Sequence, residues 1–403
     1  MLISFCVNQK KHQIIMIRLI LLTDFTEAFA HNLLKGILEY SKRNEPWVVS
    51  RMPPSYKKTF GIQGVLDWAK SWQADAIIGQ FDDDDNVELF PQNGIIALAQ
   101  DFKSKFTTIP NITSDYRLTG KIAADYFIKK GFKHFAYYGY KNSVWSKERY
   151  EGFLEHITKN KFSVNFYAYQ EQLLDELWHY ETTPLLTWLE SLPKPTALMA
   201  CDDTQGYRIA EVCRANNIKI PEEIAILGVD NDEMTCNMAV PPLSSIRLNI
   251  ARGGFLAAEL IEKLLKNKDS DFFDIIIQPI HVVERFSTNF YSSSDPHILT
   301  VLKYIHENLT SKLQVSDIVR QVPLSRRLLE IRFKQVTKQP IYKYIFKLRI
   351  DYFAQLLLTS TDPIVYVAAQ AGLNDYRNLS RQFKALKKES PREYRKRHQV
   401  SYK

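Results

Sequence analysis

The chain has 403 residues, 45% of them hydrophobic and 24% charged, with no low-complexity tract, which excludes a disordered or fibrous protein and suits two or three folded domains. No apolar run approaches the roughly 20 residues that a bilayer-spanning helix needs. The net charge of +8 is unevenly held: residues 297–403 contain 21 basic and 8 acidic side chains, a net +13, leaving −5 for residues 1–296.

Met1 to Met16 has a short apolar stretch before Gln9, Lys10 and Lys11 and lacks a small-residue cleavage pattern, so it reads as an extension (residues 1–16) and not as a signal peptide. Met16 could serve as initiator. Residues 17–286 then alternate strand and helix patterns. Arg18 to Thr23 (RLILLT) reads as a buried strand and Glu27 to Lys42 as an amphipathic helix. Ala74 to Gln80 and Gly94 to Gln100 are further strands. Ala123 to Lys130 is helical, and His134 to Tyr140 is a strand. After these come Tyr150 to Lys159 (helix), Asn165 to Tyr169 (strand), Leu185 to Leu192 (helix), Ala197 to Cys201 (strand), Gln205 to Asn216 (helix) and Ile224 to Val229 (strand). Continuous apolar strands between helices predict parallel sheets covered on both faces, with ligands bound beyond the carboxyl ends of the strands. Those ends are polar: Asp24, the run Asp82 to Asp85, Asp202 with Asp203, and Asp230 to Asp232. The Asp82 to Asp85 run reads as a solvent-facing charge cluster, not a metal site. Cys6, Cys201, Cys213 and Cys236 show neither CxxC spacing nor clustered histidines and read as buried thiols; no metal or cofactor is expected, and the compartment expected is the cytoplasm.

Ser287 to Pro296 (STNFYSSSDP) is expected to be a linker, and 297–403 a helical domain. His297 to Leu309 follows a capping Asp295 with Pro296 in its first turn. Val315 to Gln321 and Arg326 to Val336, the latter capped by Ser325, flank a turn holding Pro323. Ile341 to Thr359 is a long central helix. Ile364 to Gln370 and Tyr376 to Lys388, capped by Asp375, flank a turn at Gly372, and Pro391 to Arg397 closes the chain. LSRRLLEIRFKQVTK and NDYRNLSRQFKALKK form an internal repeat, each carrying Phe-Lys, at Phe333-Lys334 and Phe383-Lys384. Leu328, Leu329, Phe333, Leu379 and Phe383 are assigned to the core stripe. The exposed faces offer Arg326, Arg327 and Glu330 in the first repeat, and Asn374, Tyr376, Arg377 and Arg381 in the second. Arginine can fork to guanine O6 and N7, and glutamate can accept from cytosine N4. One basic face is ordinarily just a solvated surface; two in one strongly cationic domain point to double-stranded DNA.

The second unit, Pro363 to Arg395, resembles the AraC/XylS regulators in Val367-Ala368, Gly372-Leu373, Tyr376, Arg381-Gln382-Phe383-Lys384 and Pro391-Arg392-Glu393-Tyr394-Arg395. Leu373 stands where that family has Phe. Ile220 to Ile246 (IPEEIAILGVDNDEMTCNMAVPPLSSI) resembles the sensor domain of the LacI/GalR regulators. That resemblance implies ligand contacts at Asp230, Asp202, Asp115 and, from SKERYEGF, Arg149; Asp24 and Phe25 end the first strand, and Trp145 lies four residues before Arg149. Independently of the resemblance, Asp acceptors, an Arg donor and an aromatic face suit a sugar. For each residue the plainer role is a helix cap or a core side chain.

The fold expected is an α/β two-lobed periplasmic-binding-protein-like sensor, parallel sheets flanked by helices, followed by an all-α double helix-turn-helix domain. This order, with Trp145, Arg149 and the VDND turn, is similar to the bacterial xylose operon regulators. The resemblance implies a sugar-responsive regulator, an activator of pentose utilisation genes with D-xylose as effector, acting as a homodimer with RNA polymerase as a partner. Another monosaccharide uses the same kinds of groups. An enzyme acting on sugars or nucleosides is the rival, but the chain has no GxSxG, P-loop, GxGxxG, HExxH or zinc spacing. A constitutive DNA-architectural protein would leave the large polar-ended α/β part idle.

Overall fold

The computed structural model describes residues 16–398 except 27, 45, 101–104, 142, 170–182, 268–270, 290–294, 312, 361 and 374–377. It divides into two compact units, with the break between Thr288 and Asn289.

The first unit has two lobes. One opens with β1 (Ile17–Leu22), α1 (Ala28–Ser41), β2 (Trp47–Met52), α2 (Pro54–Ser71), β3 (Ala76–Gly79), α3 (Leu89–Gln92), β4 (Ile96–Gln100) and β5 (Asn111–Ser114). The chain then crosses to the other lobe for α4 (Tyr116–Lys129), β6 (His134–Tyr140), α5 (Val144–Lys159), β7 (Val164–Tyr169) and α6 (Thr183–Ser191). That lobe continues with β8 (Thr196–Ala200), α7 (Asp203–Ala215), β9 (Ile224–Val229), α8 (Glu233–Met238) and β10 (Ser244–Leu248). It returns for α9 (Ile250–Lys266) and β11 (Ile275–Ile277), and crosses a last time to β12 (Pro279–Val283).

The sheets run β11-β5-β4-β3-β1-β2 and β12-β10-β9-β8-β6-β7, the same order when each lobe is numbered by itself. All pairings are parallel except β10 with β12. β1, β3, β6, β8 and β9 are almost wholly buried, as strands covered on both faces must be. In both sheets the order reverses at the first strand, β1 or β6, and that reversal opens a crevice at the carboxyl edge.

Glycine pairs set the helix packing. α1 lies on α9 and α4 on α5. A Cβ on Gly36 would sit 1.8 Å from the Ala251 carbonyl oxygen, and one on Gly120 would sit 2.1 Å from that of Arg149. Gly254 and Gly152 make the reciprocal approaches. The three lobe crossings are bonded to one another: Asp115 N–H donates to the Ile277 carbonyl and Asn249 N–H to that of Gln278, both at 3.0 Å.

Several sequence expectations shift. α4 begins at Tyr116 instead of Ala123, because Asp115 caps it by accepting from Leu118 N–H. α5 begins at Val144 instead of Tyr150, which places Trp145 and Arg149 one turn apart on one helix. The Asp82 to Asp85 loop is not a free acidic patch: Lys57 Nζ lies 2.7 Å from Asp82 and 2.5 Å from Asp85, with the Asp85 side chain only 13% exposed. The expected linker begins too early. Ser287 and Thr288 are buried in a 3-10 turn, where Ser287 Oγ donates to the Ile226 carbonyl and accepts from Ser244 N–H. A hydroxyl that satisfies two buried backbone groups belongs to the core, whatever its composition suggests.

The second unit comprises α10 (Pro296–Glu307), α11 (Val315–Val319), α12 (Arg326–Thr337), α13 (Ile341–Thr359), α14 (Ile364–Gln370), α15 (Leu379–Lys387) and α16 (Pro391–His398). The sequence repeat is also a structural one. Leu329 and Phe333 on α12 are buried, as are Leu379 and Phe383 on α15. Both helices end on a left-handed lysine, Lys338 with φ 59° and Lys388 with φ 68°. The central α13 serves both halves: Tyr344 meets Phe333 edge-on at 5.5 Å and Phe353 meets Phe383 at 5.3 Å. Leu373, the departure from the AraC/XylS pattern, packs into the second core beside Val367 and Ala368.

Candidate functional site

The carboxyl edges of both sheets line one cavity of about 760 Å³, part of it open to solvent. From the first sheet come Gln80 after β3 and Gln100 at the end of β4, with Thr26 from the turn between β1 and α1 and Phe29 from the first turn of α1. From the second come Asp202 after β8 and Asp230 after β9, and α5 contributes Trp145 and Arg149.

Arg149 organises this wall. Its side chain is 4% exposed; one terminal nitrogen donates to Asp230 Oδ1 at 3.2 Å and the other to the Cys201 carbonyl. The guanidinium lies over the rings of Tyr116 and Trp145, at 5.3 Å from each. Burial works hardest against its charge, but the Asp230 carboxylate together with Tyr116, Tyr137 and Cys201 outweighs it, and its pKa moves up. Asp230 itself sits at φ 95°, a left-handed conformation that costs an L-residue energy and recurs where a side chain must be aimed. Its N–H is fixed to the Ile246 carbonyl.

Asp202 caps α7 by accepting from Gln205 N–H at 2.7 Å, and burial pushes its carboxyl up to about 6. Asp203 accepts from Asp232 N–H at 2.7 Å; burial, with repulsion from Asp230, holds it well above the usual carboxylate range. Asp230 is also raised by burial, against the pull of Arg149. Among the described residues the cavity therefore presents one cation with several reluctant carboxyls, which penalises an anionic ligand and suits hydroxyls that donate and accept. Trp145, with Tyr140 edge-on at 5.5 Å, supplies a flat apolar face.

Of the seven expected ligand residues, Trp145, Arg149, Asp202 and Asp230 line the cavity. The other three are not among its lining residues. Asp24 accepts from Thr26 N–H at 2.8 Å and Thr26 Oγ at 2.7 Å, closing a local turn. Phe25 lies beneath the Arg51 guanidinium at 5.2 Å. Asp115 caps α4 at the first lobe crossing, where its neighbour Tyr116 reaches the cavity. Gln80 and Gln100 also line the cavity; both end strands expected from the sequence, so the strand-end rule covers them. Phe29, Tyr116 and Thr204 carried no such signal.

In the second unit, Arg326 Nε donates to Glu330 Oε1 at 3.1 Å on the solvent face of α12, and Arg327 is exposed beside them. Arg381 is exposed on α15. Asn374, Tyr376 and Arg377, with the expected cap Asp375, lie outside the described residues. Leu328 corrects the sequence reading: it is 38% exposed, because the buried stripe of α12 runs through Leu329, Phe333 and Thr337, and Leu328 lies about 100° round the helix from Leu329.

Comparison with known proteins agrees with this architecture. Residues 124–288 match a periplasmic binding protein-like domain and residues 318–397 a helix-turn-helix domain. The xylose operon regulatory protein of Haemophilus influenzae is 30% identical over 331 residues, 80% of this chain and 84% of that one. This chain belongs to the family of xylose operon regulatory proteins. The Escherichia coli K12 member is 26% identical over 389 residues, 94% of this chain and 96% of its own. The solved structure of a xylose-binding transcription activator, XylR, covers 94% of this chain and 98% of its own with a TM-score of 0.59; at 24% identity it attests the fold. As a member of that family, the protein is a sugar-responsive DNA-binding regulator of transcription and not an enzyme. No helix among the described residues is long and apolar enough to cross a membrane.

Proposed function

We propose that the cavity takes a small neutral pentose, D-xylose first among candidates because the relatives are named for its operon. The protein would work in the cytoplasm as a homodimer that activates pentose utilisation genes through RNA polymerase. The observation that carries the ligand reading is Arg149, pinned between Asp230 and the Cys201 carbonyl against the Trp145 ring, in a wall whose other charged groups among the described residues are carboxyls. Asp202, Asp230 and Arg149 fix the hydroxyls, Trp145 covers the C–H face, and Gln80 and Gln100 meet the sugar from the opposite lobe. Asp24, Phe25 and Asp115 act one step away, through the turn and the crossing that present Thr26 and Tyr116. On the DNA, Arg326, Arg327 and Glu330 read one half-site, and Asn374, Tyr376, Arg377 and Arg381 the other.

Thermal unfolding in the presence of D-xylose, L-arabinose, D-ribose, D-glucose and D-xylose 5-phosphate tests the ligand reading. D-xylose should raise the melting temperature of the wild type most and the phosphate not at all. Asp230→Asn should fold but lose the shift. A panel without any shift, or an undiminished shift in Asp230→Asn, refutes the assignment.

A further inference from the structure

The two reading helices expose unlike chemistry at equivalent places. The repeat sets Leu328 opposite Asn378 and Ile331 opposite Arg381, a register fixed by the buried pairs Leu329 with Leu379 and Phe333 with Phe383. Leu328 is 38% and Ile331 47% exposed; one turn apart, they form a small aliphatic ridge on α12. Around it stand Arg326, Arg327, Glu330 and Lys334, all exposed. On the second helix the same places hold Asn378, exposed and making no capping bond with its side chain, and the exposed Arg381.

We propose that the first helix reads its half-site by packing Leu328 and Ile331 against thymine 5-methyl groups in the major groove, while the second reads by hydrogen bonds from Asn378 and Arg381. In the major groove thymine offers a methyl, adenine and guanine offer hydrogen-bonding edges, and arginine prefers guanine. Single exposed aliphatic residues are ordinary on any surface. Here the pair lies on a reading helix in a segment of net +13, and its cationic rim attracts phosphate and repels a second copy of itself. The operator is therefore chemically lopsided, with paired thymines on one side and guanine on the other. This deepens the DNA-reading role and rests on it.

The test takes a duplex enriched by the full-length protein from a randomised pool, with and without D-xylose, and replaces each thymine by deoxyuridine, which removes only the methyl. Two thymines in one half-site should each weaken wild-type binding about threefold to fivefold when replaced, the scale of one buried methyl. Leu328→Ala should be indifferent at one of them and Ile331→Ala at the other, with circular dichroism showing both variants folded. Arg381→Ala should lose selectivity at a guanine in the other half-site. An enriched duplex indifferent to every deoxyuridine overturns the methyl readout alone, even if the alanine variants bind less well, since the ridge would then serve a protein contact or the fold. A pool that yields no enriched duplex overturns the DNA reading itself, and this proposal with it.

Discussion

Asp202 has two duties whose demands conflict. As the cap of α7 it needs only an acceptor oxygen, but burial lifts its pKa to about 6. The folded protein therefore holds this proton more tightly than the unfolded chain, where the group titrates near 3.8. Its favourable contribution is complete below that unfolded value and is lost as pH rises through about 6. Asp203 and Asp230 shift in the same direction. Asparagine caps as well as aspartate and carries no charge. Asp202→Asn should thus gain stability relative to wild type between pH 4 and 7, read as a growing difference in melting temperature; parallel pH curves would show the carboxyl to be unperturbed. Arg149 is the opposite case. Its removal strands Asp230 in the interior, so Arg149→Ala should cost about 3–5 kcal/mol in chemical denaturation. A loss below about 1 kcal/mol, the range of surface ion pairs, would mean that the pair is effectively solvated.

At the scale of elements, glycine pairs decide how the helices of the first unit meet. Gly120 brings α4 against the Arg149 carbonyl itself, so this contact sets both helix packing and the position of Arg149 in the cavity wall. A methyl there must push α5 away. Gly120→Ala should lose about 1–3 kcal/mol and weaken sugar binding together. Gly131→Ala, at φ 87° with open space around it, should lose about 1 kcal/mol or less from backbone strain and leave sugar affinity alone. Equal sugar affinity in both variants would sever helix packing from the cavity. The same crossing explains the late helix start read from sequence. Tyr116 to Gly120 contains a glycine and a threonine, weak helix formers, and only the Asp115 cap and the fit against α5 hold that turn helical.

For the whole molecule, two kinds of binding are expected to respond differently to salt. The cationic segment must release counterions from DNA, whereas a neutral sugar among hydrogen-bonding groups displaces none. The logarithm of DNA affinity should fall linearly and steeply with that of salt concentration, while the sugar dissociation constant from calorimetry stays within about twofold over 0.05–0.5 M, since bound neutral groups are little screened. A sugar affinity that collapses with salt would reveal an anionic ligand. Response to sugar needs only that the ligand prefer one arrangement of the two lobes. The three bonded crossings at Asp115, Asn249 and Gln278 are where such a preference would be expressed.

Local pattern determined much of this protein. Continuous apolar runs predicted β1, β6 and β9 nearly to the residue, and the repeated Phe-Lys spacing marked α12 and α15 as equivalent helices. Charge asymmetry predicted which end meets DNA, and the polar strand ends supplied Asp202 and Asp230. Each of these signals lies within a few consecutive residues. Tertiary structure alone decided that Asp115 caps at a crossing, that Asp85 is neutralised by Lys57, that Ser287 lies in the core, and that Leu328 faces solvent. Those outcomes depend on partners distant in sequence, as Ile226 is for Ser287, 61 residues away, and Ile277 for Asp115, and a one-residue step of about 100° round a helix is enough to move a side chain from core to solvent.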